Sequence, residues 1–161
     1  MIYIGIDPGS TTGFVQIDTK RKTRIMKGLD FWKCIFAINT AKHDCIKNKE
    51  DLKVFIEDPN LIKVNVYARM TTKGFSPNEM NRIAENVGRN RREATLLIDY
   101  CKVCGIPVEG VKPYKKGKVN GAAFEEVTGI KTNQHCRDAY MILVRKNIIP
   151  FNKKCFYDTI N

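Results

Sequence analysis

The sequence lacks any long hydrophobic run. No apolar stretch in the 161-residue chain approaches the roughly 20 consecutive residues of a membrane-spanning helix. No amphipathic membrane anchor is evident either. The N-terminus also lacks the basic segment, apolar core and small-residue cleavage site of a secretory signal. We therefore expect no membrane partner and a cytoplasmic location.

Paired cysteine motifs of the kind that bind zinc are also missing. The chain has six cysteines, and Cys101 and Cys104 have the two-residue spacing of zinc and redox sites. A structural zinc site would need a second such pair, and no other cysteines have this spacing. Because an unexported protein keeps its thiols reduced, we expect free cysteines.

Acidic residues are few relative to basic ones. The chain has 28 lysines and arginines against 17 aspartates and glutamates, which gives a formal net charge of +11. This surplus predicts a polyanionic partner, and nucleic acid is favoured because membrane features are missing. No internal repeat, linker or low-complexity segment divides the chain, so we expect one domain over residues 1–161.

The N-terminal stretch is the most informative part of the sequence. Residues 1–6 are apolar and β-rich, Asp7 follows, and residues 8–13 are rich in proline, glycine, serine and threonine. This pattern places Asp7 at the end of a buried strand. Its carboxylate could cap the turn or bind a divalent cation, or the turn could hold a nucleotide phosphate as in sugar-kinase and actin-like ATPases. The chain is too short for those two-lobed ATPases, so we expect no nucleotide cofactor.

A second apolar run ends in the same way, with residues 52–57 closing on Glu57. Strands are also predicted at residues 14–18, 24–31 and 106–111, and an amphipathic helix at residues 31–48. Parallel strands joined through a helix bring equivalent ends to one edge of a sheet, so Glu57 can lie near Asp7. The sequence thus predicts an α/β fold whose central, mixed five-stranded sheet is flanked by helices.

Two later helices have clear start signals. Ser76, Pro77 and Glu79 form a capping-box pattern, and helical spacing of apolar residues continues to Gly105. A short helix is predicted at residues 122–127, ending at Gly129, and Asn133 opens the last helix.

His135 and Asp138 stand three residues apart on that last helix, hence on one face. A lone histidine is more often structural than a ligand. Together with Asp7 and Glu57, however, the pair supplies the ligands needed to hold two divalent cations about 4 Å apart. Carboxylate oxygens favour Mg²⁺.

Basic residues in three places are candidate DNA contacts, although a solvated surface is the alternative for each. They lie in a loop that also holds Tyr67 and Phe75, in the middle of the long helix, and around Tyr114. The candidates are Arg69, Lys73, Arg89, Arg91, Arg92, Lys112, Lys115, Lys116 and Lys118.

Taken in order, these motifs resemble the RuvC family of Holliday junction resolvases over nearly the whole chain. They comprise residues 4–13 (IGIDPGSTTG), 55–57 (FIE), 88–89 (GR), 111–113 (VKP) and 135–139 (HCRDA). The resemblance implies an RNase H-like fold, a homodimer and paired metal-dependent nicks across a four-way DNA junction, which leave 5′-phosphate and 3′-hydroxyl ends.

Particular residues match that family's pattern. Asp7, Glu57 and Asp138 match its metal-binding acids, and His135 matches a position where members have aspartate or histidine. This implies two Mg²⁺ ions per active site, with Mn²⁺ as a substitute. The lysines at 112–118 lie where the family contacts phosphates near the scissile bond. The lysine-, asparagine- and isoleucine-rich composition suits a phage or mobile-element member, acting in a bacterial or phage-infected cell.

Two other functions remain open at this stage. A nuclease of the same RNase H-like type could act on RNA or on other branched DNA. A non-catalytic protein could bind junctions through its positive charge without cutting them. The four filled ligand positions argue against the second alternative.

Overall fold

A mixed β-sheet forms the centre of the protein. The computed structural model describes residues 1–63, 74–114 and 119–150, and the backbone of residues 158–159. The strands are β1 (Ile2–Asp7), β2 (Thr12–Asp18), β3 (Thr23–Leu29), β4 (Leu52–Glu57), β5 (Val108–Val111) and the two-residue β6 (Asp158–Thr159). Their order is β5-β4-β1-β2-β3-β6. The five predicted strands and the mixed sheet are confirmed, and β6 extends the sheet beside β3.

Strand direction changes at the centre of this sheet. β1, β2 and β3 are antiparallel neighbours, whereas β4 pairs in parallel with both β1 and β5. β5 begins just after Pro107 and lies at an edge, as the proline predicts.

Among the described residues, four helices flank the sheet: α1 (Phe31–Asn48), α2 (Pro77–Val103), α3 (Gly121–Thr128) and α4 (Gln134–Arg145). A 3₁₀ turn follows β4 at Pro59–Leu61. The predicted capping box is present, because Ser76 Oγ accepts the Glu79 N–H and the Glu79 carboxylate accepts the Ser76 N–H. Asn133 caps α4 by accepting the Cys136 N–H.

Helices cover both faces of the sheet. Ile4, Ile6 and Val54 belong to a core cluster with α1 and the second half of α2. Val15 and Phe55 belong to a second cluster, which includes residues of α3 and α4. The protein therefore has three layers, with α4 on the face opposite α1 and α2. Within the described residues, no helix is both long and apolar enough to span a bilayer.

Within the core clusters formed by the described residues, α2 contributes through its second half. Ala94, Leu97 and Cys101 are fully buried, but Met80 and Val87 remain partly exposed. Helical spacing predicted the helix correctly, yet it did not predict that the apolar residues of the first half would remain partly exposed.

The five described cysteines are free thiols. Burial raises the pKa of Cys34 and of Cys101 to about 12, so both thiols are protonated at neutral pH. The prediction of unpaired cysteines is confirmed for these residues, and Cys155 lies outside the described part of the chain.

Two glycines let α4 pack directly on the strand backbones. A Cβ atom at Gly13 would lie 2.0 Å from the His135 carbonyl oxygen, and one at Gly5 would lie 2.5 Å from that of Ala139. Because any side chain at these positions would push the helix away, the glycines determine how closely α4 approaches the end of β1.

Candidate active site

Asp7 and Glu57 end two adjacent parallel strands. The register pairs Ile6 of β1 with Ile56 of β4, so both acids come directly after the last paired residues at the same edge. Alternation along the strands places both on the sheet face that α4 covers. The predicted neighbourhood of the two strand ends is confirmed.

The first turn of α4 brings His135 to Asp7. His135 Nδ1 lies 2.7 Å from Asp7 Oδ2, and Asp7 is buried, with 7% of its surface exposed. A neutral ring that donates its Nδ1–H to this carboxylate retains the lone pair on Nε2. Asp7 therefore fixes the orientation and tautomer of His135.

Asp138 is held by Gln134 of the same helix, and Gln134 is held in turn by Arg137. Gln134 Nε2 donates to Asp138 Oδ1 at 2.8 Å, and Arg137 Nη2 donates to Gln134 Oε1 at 2.8 Å. Arg137 Nε in turn donates to the Val119 carbonyl at 3.1 Å. This chain of hydrogen bonds fixes the Asp138 carboxylate relative to the segment before α3.

All four predicted site residues line one cavity of about 270 Å³. Its wall combines the two strand-end acids with one face of α4 and with residues from α2 and the segments flanking α3. The lining residues include Asp7, Glu57, His135, Asp138, Asn90, Tyr114, Met141 and Arg145. Sequence reasoning found the acids and the histidine but did not identify Asn90, Tyr114 or Arg145 as site residues.

The donor set of this cavity suits Mg²⁺. Three carboxylates and one imidazole line it, and oxygen is the ligand that Mg²⁺ prefers. Among the described residues, no three His, Cys, Asp or Glu side chains form a ready-made metal-binding cluster. Mg²⁺ needs no complete protein cage, because it keeps several waters and uses substrate phosphate oxygens. The residues present therefore fit Mg²⁺ as part of a coordination shell that waters and phosphate oxygens would complete.

Known proteins offer no guide to this site. No family model matches the chain, and searches of curated proteins and of solved structures also find no match. The RuvC resemblance rests on the ordered motifs.

Four of the nine predicted DNA-binding residues belong to the part of the chain that the structure describes. Arg89, Arg92 and Lys112 are exposed and Arg91 is half-buried, and none of these four lines the cavity. Five others fall in residues that the structure does not describe: Arg69, Lys73, Lys115, Lys116 and Lys118.

Glu93 of α2 reaches the turn that follows Asp7. Burial raises the pKa of Glu93, although nearby Arg89 and a hydrogen bond from the Gly9 backbone N–H act in the opposite direction. Its Oε2 atom is buried and has no hydrogen-bond partner among the described residues. Gly9 also packs near His135, since a Cβ there would lie 3.1 Å from His135 Cε1. Glu93 thus joins α2 to the backbone beside the histidine.

We expect Glu93→Gln to stabilise the protein at pH 7. Because the pKa of Glu93 is raised in the folded state, its contribution to stability falls as pH rises from the unfolded value of about 4.3 through the folded value. Glutamine removes the charge and keeps an oxygen that can accept the Gly9 N–H. The urea midpoint should rise at pH 7, and the difference from wild type should shrink at pH 4.

Glu79→Gln is the matched control for this measurement. Hydrogen bonds from the Ser76 backbone and side chain lower the pKa of Glu79, so its ionised form stabilises the fold. Its replacement should lower the urea midpoint at pH 7, opposite to the effect at Glu93. A lowered urea midpoint in Glu93→Gln would contradict the prediction, because it would show that the ionised Glu93 carboxylate stabilises the folded state.

Proposed function

We propose that this chain is a Holliday junction resolvase of the RuvC type, a Mg²⁺-dependent endonuclease that nicks four-way DNA junctions. The cavity that gathers Asp7, Glu57, His135 and Asp138 carries this proposal. The positive net charge supports a DNA substrate. Paired nicks require two active sites, so the proposal includes a homodimer.

The chain's own residues would divide the work of cleavage. Asp7, Glu57, His135 and Asp138 would hold the metal ions, with Asp7 orienting the histidine and Gln134 orienting Asp138. Two bound Mg²⁺ ions, or Mn²⁺ in their place, would supply activation of water and stabilisation of charge on the leaving 3′ oxygen. Exposed Arg89, Arg92 and Lys112 would bind backbone phosphates around the cavity.

A cleavage assay on three labelled substrates tests the proposal. A four-way junction, a flap and an RNA–DNA hybrid are incubated with the protein, with and without Mg²⁺, and the end groups are determined. We expect Mg²⁺-dependent, symmetric nicks in the junction with 5′-phosphate ends. Preferential cleavage of the flap or hybrid would indicate the related RNase H-like nuclease, and tight junction binding without cleavage would indicate a binding protein.

Replacement of His135 tests whether it is a ligand. We expect His135→Asp to retain cleavage in Mg²⁺, since a carboxylate supplies the oxygen that Mg²⁺ prefers. His135→Ala should lose activity by about 100-fold, as loss of a metal-site group does. The aspartate variant should also show a lower ratio of Mn²⁺-supported to Mg²⁺-supported rate than wild type.

A purely structural histidine predicts the reverse order of activities. Alanine would then be tolerated, whereas aspartate would place a second negative charge beside Asp7 and be harmful. An active alanine variant would therefore remove His135 from the proposed ligand set.

A further inference from the structure

The face of α4 that carries His135 and Asp138 also carries a basic residue, Arg145. His135, Asp138, Met141 and Arg145 are spaced three, three and four residues apart, and all line the cavity. Arg145 follows Asp138 by seven residues, or about 10 Å along the helix. It is the one lysine or arginine among the described lining residues, in a cavity that holds three carboxylates.

Arg145 is held in place by an aromatic ring. Its guanidinium carbon lies 4.9 Å from the centroid of Tyr114, and Tyr114 is 58% exposed. The Nε atom of Arg145 is buried and has no hydrogen-bond partner among the described residues. A guanidinium holds its N–H donors in one plane, and these donors match the oxygens of a phosphate.

We infer that Arg145, positioned by Tyr114, binds a DNA phosphate group. This phosphate would be a neighbour of the one at the proposed metal site. Phosphate is the favoured ligand because the planar guanidinium of Arg145 lines the cavity and its forked N–H donors suit a bidentate oxyanion. The exposed ring of Tyr114 adds a surface on which an unpaired base can stack. The inference rests on the proposed function only for its substrate, DNA, and does not require cleavage.

A different role for Arg145 has to be separated from this one. The guanidinium could simply offset the negative charge of the cavity and contribute to folding. That role predicts a loss of stability on replacement, with no change in the salt dependence of DNA binding. A phosphate contact predicts a weaker salt dependence of DNA binding and no loss of stability, since each lost contact lowers the number of counterions released.

The test measures junction binding in EDTA, so that metal and cleavage play no part. A fluorescent four-way junction is titrated at several salt concentrations with wild type, Arg145→Gln and Arg145→Lys. We expect Arg145→Gln to lower the slope of log affinity against log salt by about one. Its affinity should fall about tenfold, as loss of a charged hydrogen bond does. Arg145→Lys should keep the slope but lose affinity, because lysine cannot bind bidentately or stack in the same way.

Lys47→Gln controls for the loss of one positive charge. Lys47 is exposed in the last turn of α1, on the opposite side of the sheet from α4. Its replacement should leave affinity and slope unchanged. Tyr114→Phe keeps the ring and Tyr114→Leu removes it, so Tyr114→Leu should weaken junction binding more than Tyr114→Phe does. If Arg145→Gln fails to fold, the two Tyr114 variants test the proposal instead, because Tyr114 is exposed.

The outcomes separate the subsite from the nuclease activity. In Mg²⁺, Arg145→Gln should raise KM about tenfold with kcat little changed, because the contact is made in the ground state and the transition state alike. An unchanged slope and KM in Arg145→Gln would overturn the subsite and leave the nuclease proposal intact. A lowered slope in a protein that never cuts would support the subsite and overturn the nuclease proposal.

Discussion

Glu57→Gln is expected to abolish junction cleavage while junction binding stays within about threefold of wild type, because phosphate contacts dominate affinity. The variant keeps the shape of the side chain and removes one of the carboxylate charges that line the cavity. Loss of several kcal/mol of transition-state stabilisation, at about 1.4 kcal/mol per tenfold, corresponds to a rate loss of about 10³-fold. Single-turnover cleavage and EDTA binding assays measure the two quantities separately.

Glu109→Gln is the control with the same chemical change. Glu109 lies on β5, where it forms ion pairs with Lys53, at 3.2 Å, and with Lys146, and it does not line the cavity. We expect this variant to cut the junction at nearly the wild-type rate. Equal losses in both variants, or a Glu57→Gln protein that cuts normally in Mg²⁺, would contradict the assignment of Glu57 to a metal site.

Gly13→Ala is expected to produce the largest loss of stability of any single methyl group added near the site. The new Cβ would lie 2.0 Å from the His135 carbonyl oxygen, and that atom belongs to helix backbone, which cannot rotate away. Displacement of α4 should cost about 3 kcal/mol. For a chain of this length that corresponds to a fall in Tm of about 6–12 °C, measurable by calorimetry.

The cleavage rate of Gly13→Ala should fall by more than its loss of stability explains. Moving α4 shifts His135 and Asp138 away from Asp7, and a displacement of about 1 Å in a catalytic group can cost about 100-fold in rate. Activity is therefore measured well below the Tm of the variant, where the protein remains folded.

Gly88→Ala is the matched control for added bulk. Gly88 lies within α2, and a Cβ there would meet nothing within 4 Å among the described residues. Alanine in an exposed helix interior should stabilise the protein by about 0.5–1 kcal/mol. If Gly13→Ala matched it in stability, the close approach of α4 to β2 would not be a constraint.

The sequence predicted those parts of the site that follow from local patterns. Asp7 and Glu57 were placed at strand ends by apolar runs that stop at an acid, and His135 and Asp138 by helical spacing. The parallel pairing of β1 and β4 then brings the strand ends together. These features need only a knowledge of strand direction and helix geometry.

The remaining site residues depend on packing between distant elements. Tyr114 follows β5 and Arg145 ends α4, and their cation–π contact has no signature in either local sequence. Glu93 was one acid among several on a long helix, and its contact with Gly9 depends on how α2 crosses the sheet. The helical spacing from Asp138 to Arg145 was available in the sequence, but nothing marked that face as the one lining a cavity.

The position of α4 late in the chain has a consequence for synthesis on the ribosome. Val15, Ile17 and Phe55 of the sheet are covered by the twelve residues of α4, which are made after β1 to β5. The same residues carry His135 and Asp138. A nascent chain that stops before residue 134 therefore exposes a hydrophobic sheet face and lacks half of the proposed ligands. Under the proposed function, the helix that covers this sheet face also completes the ligand set, so a chain that stops before α4 cannot cut DNA.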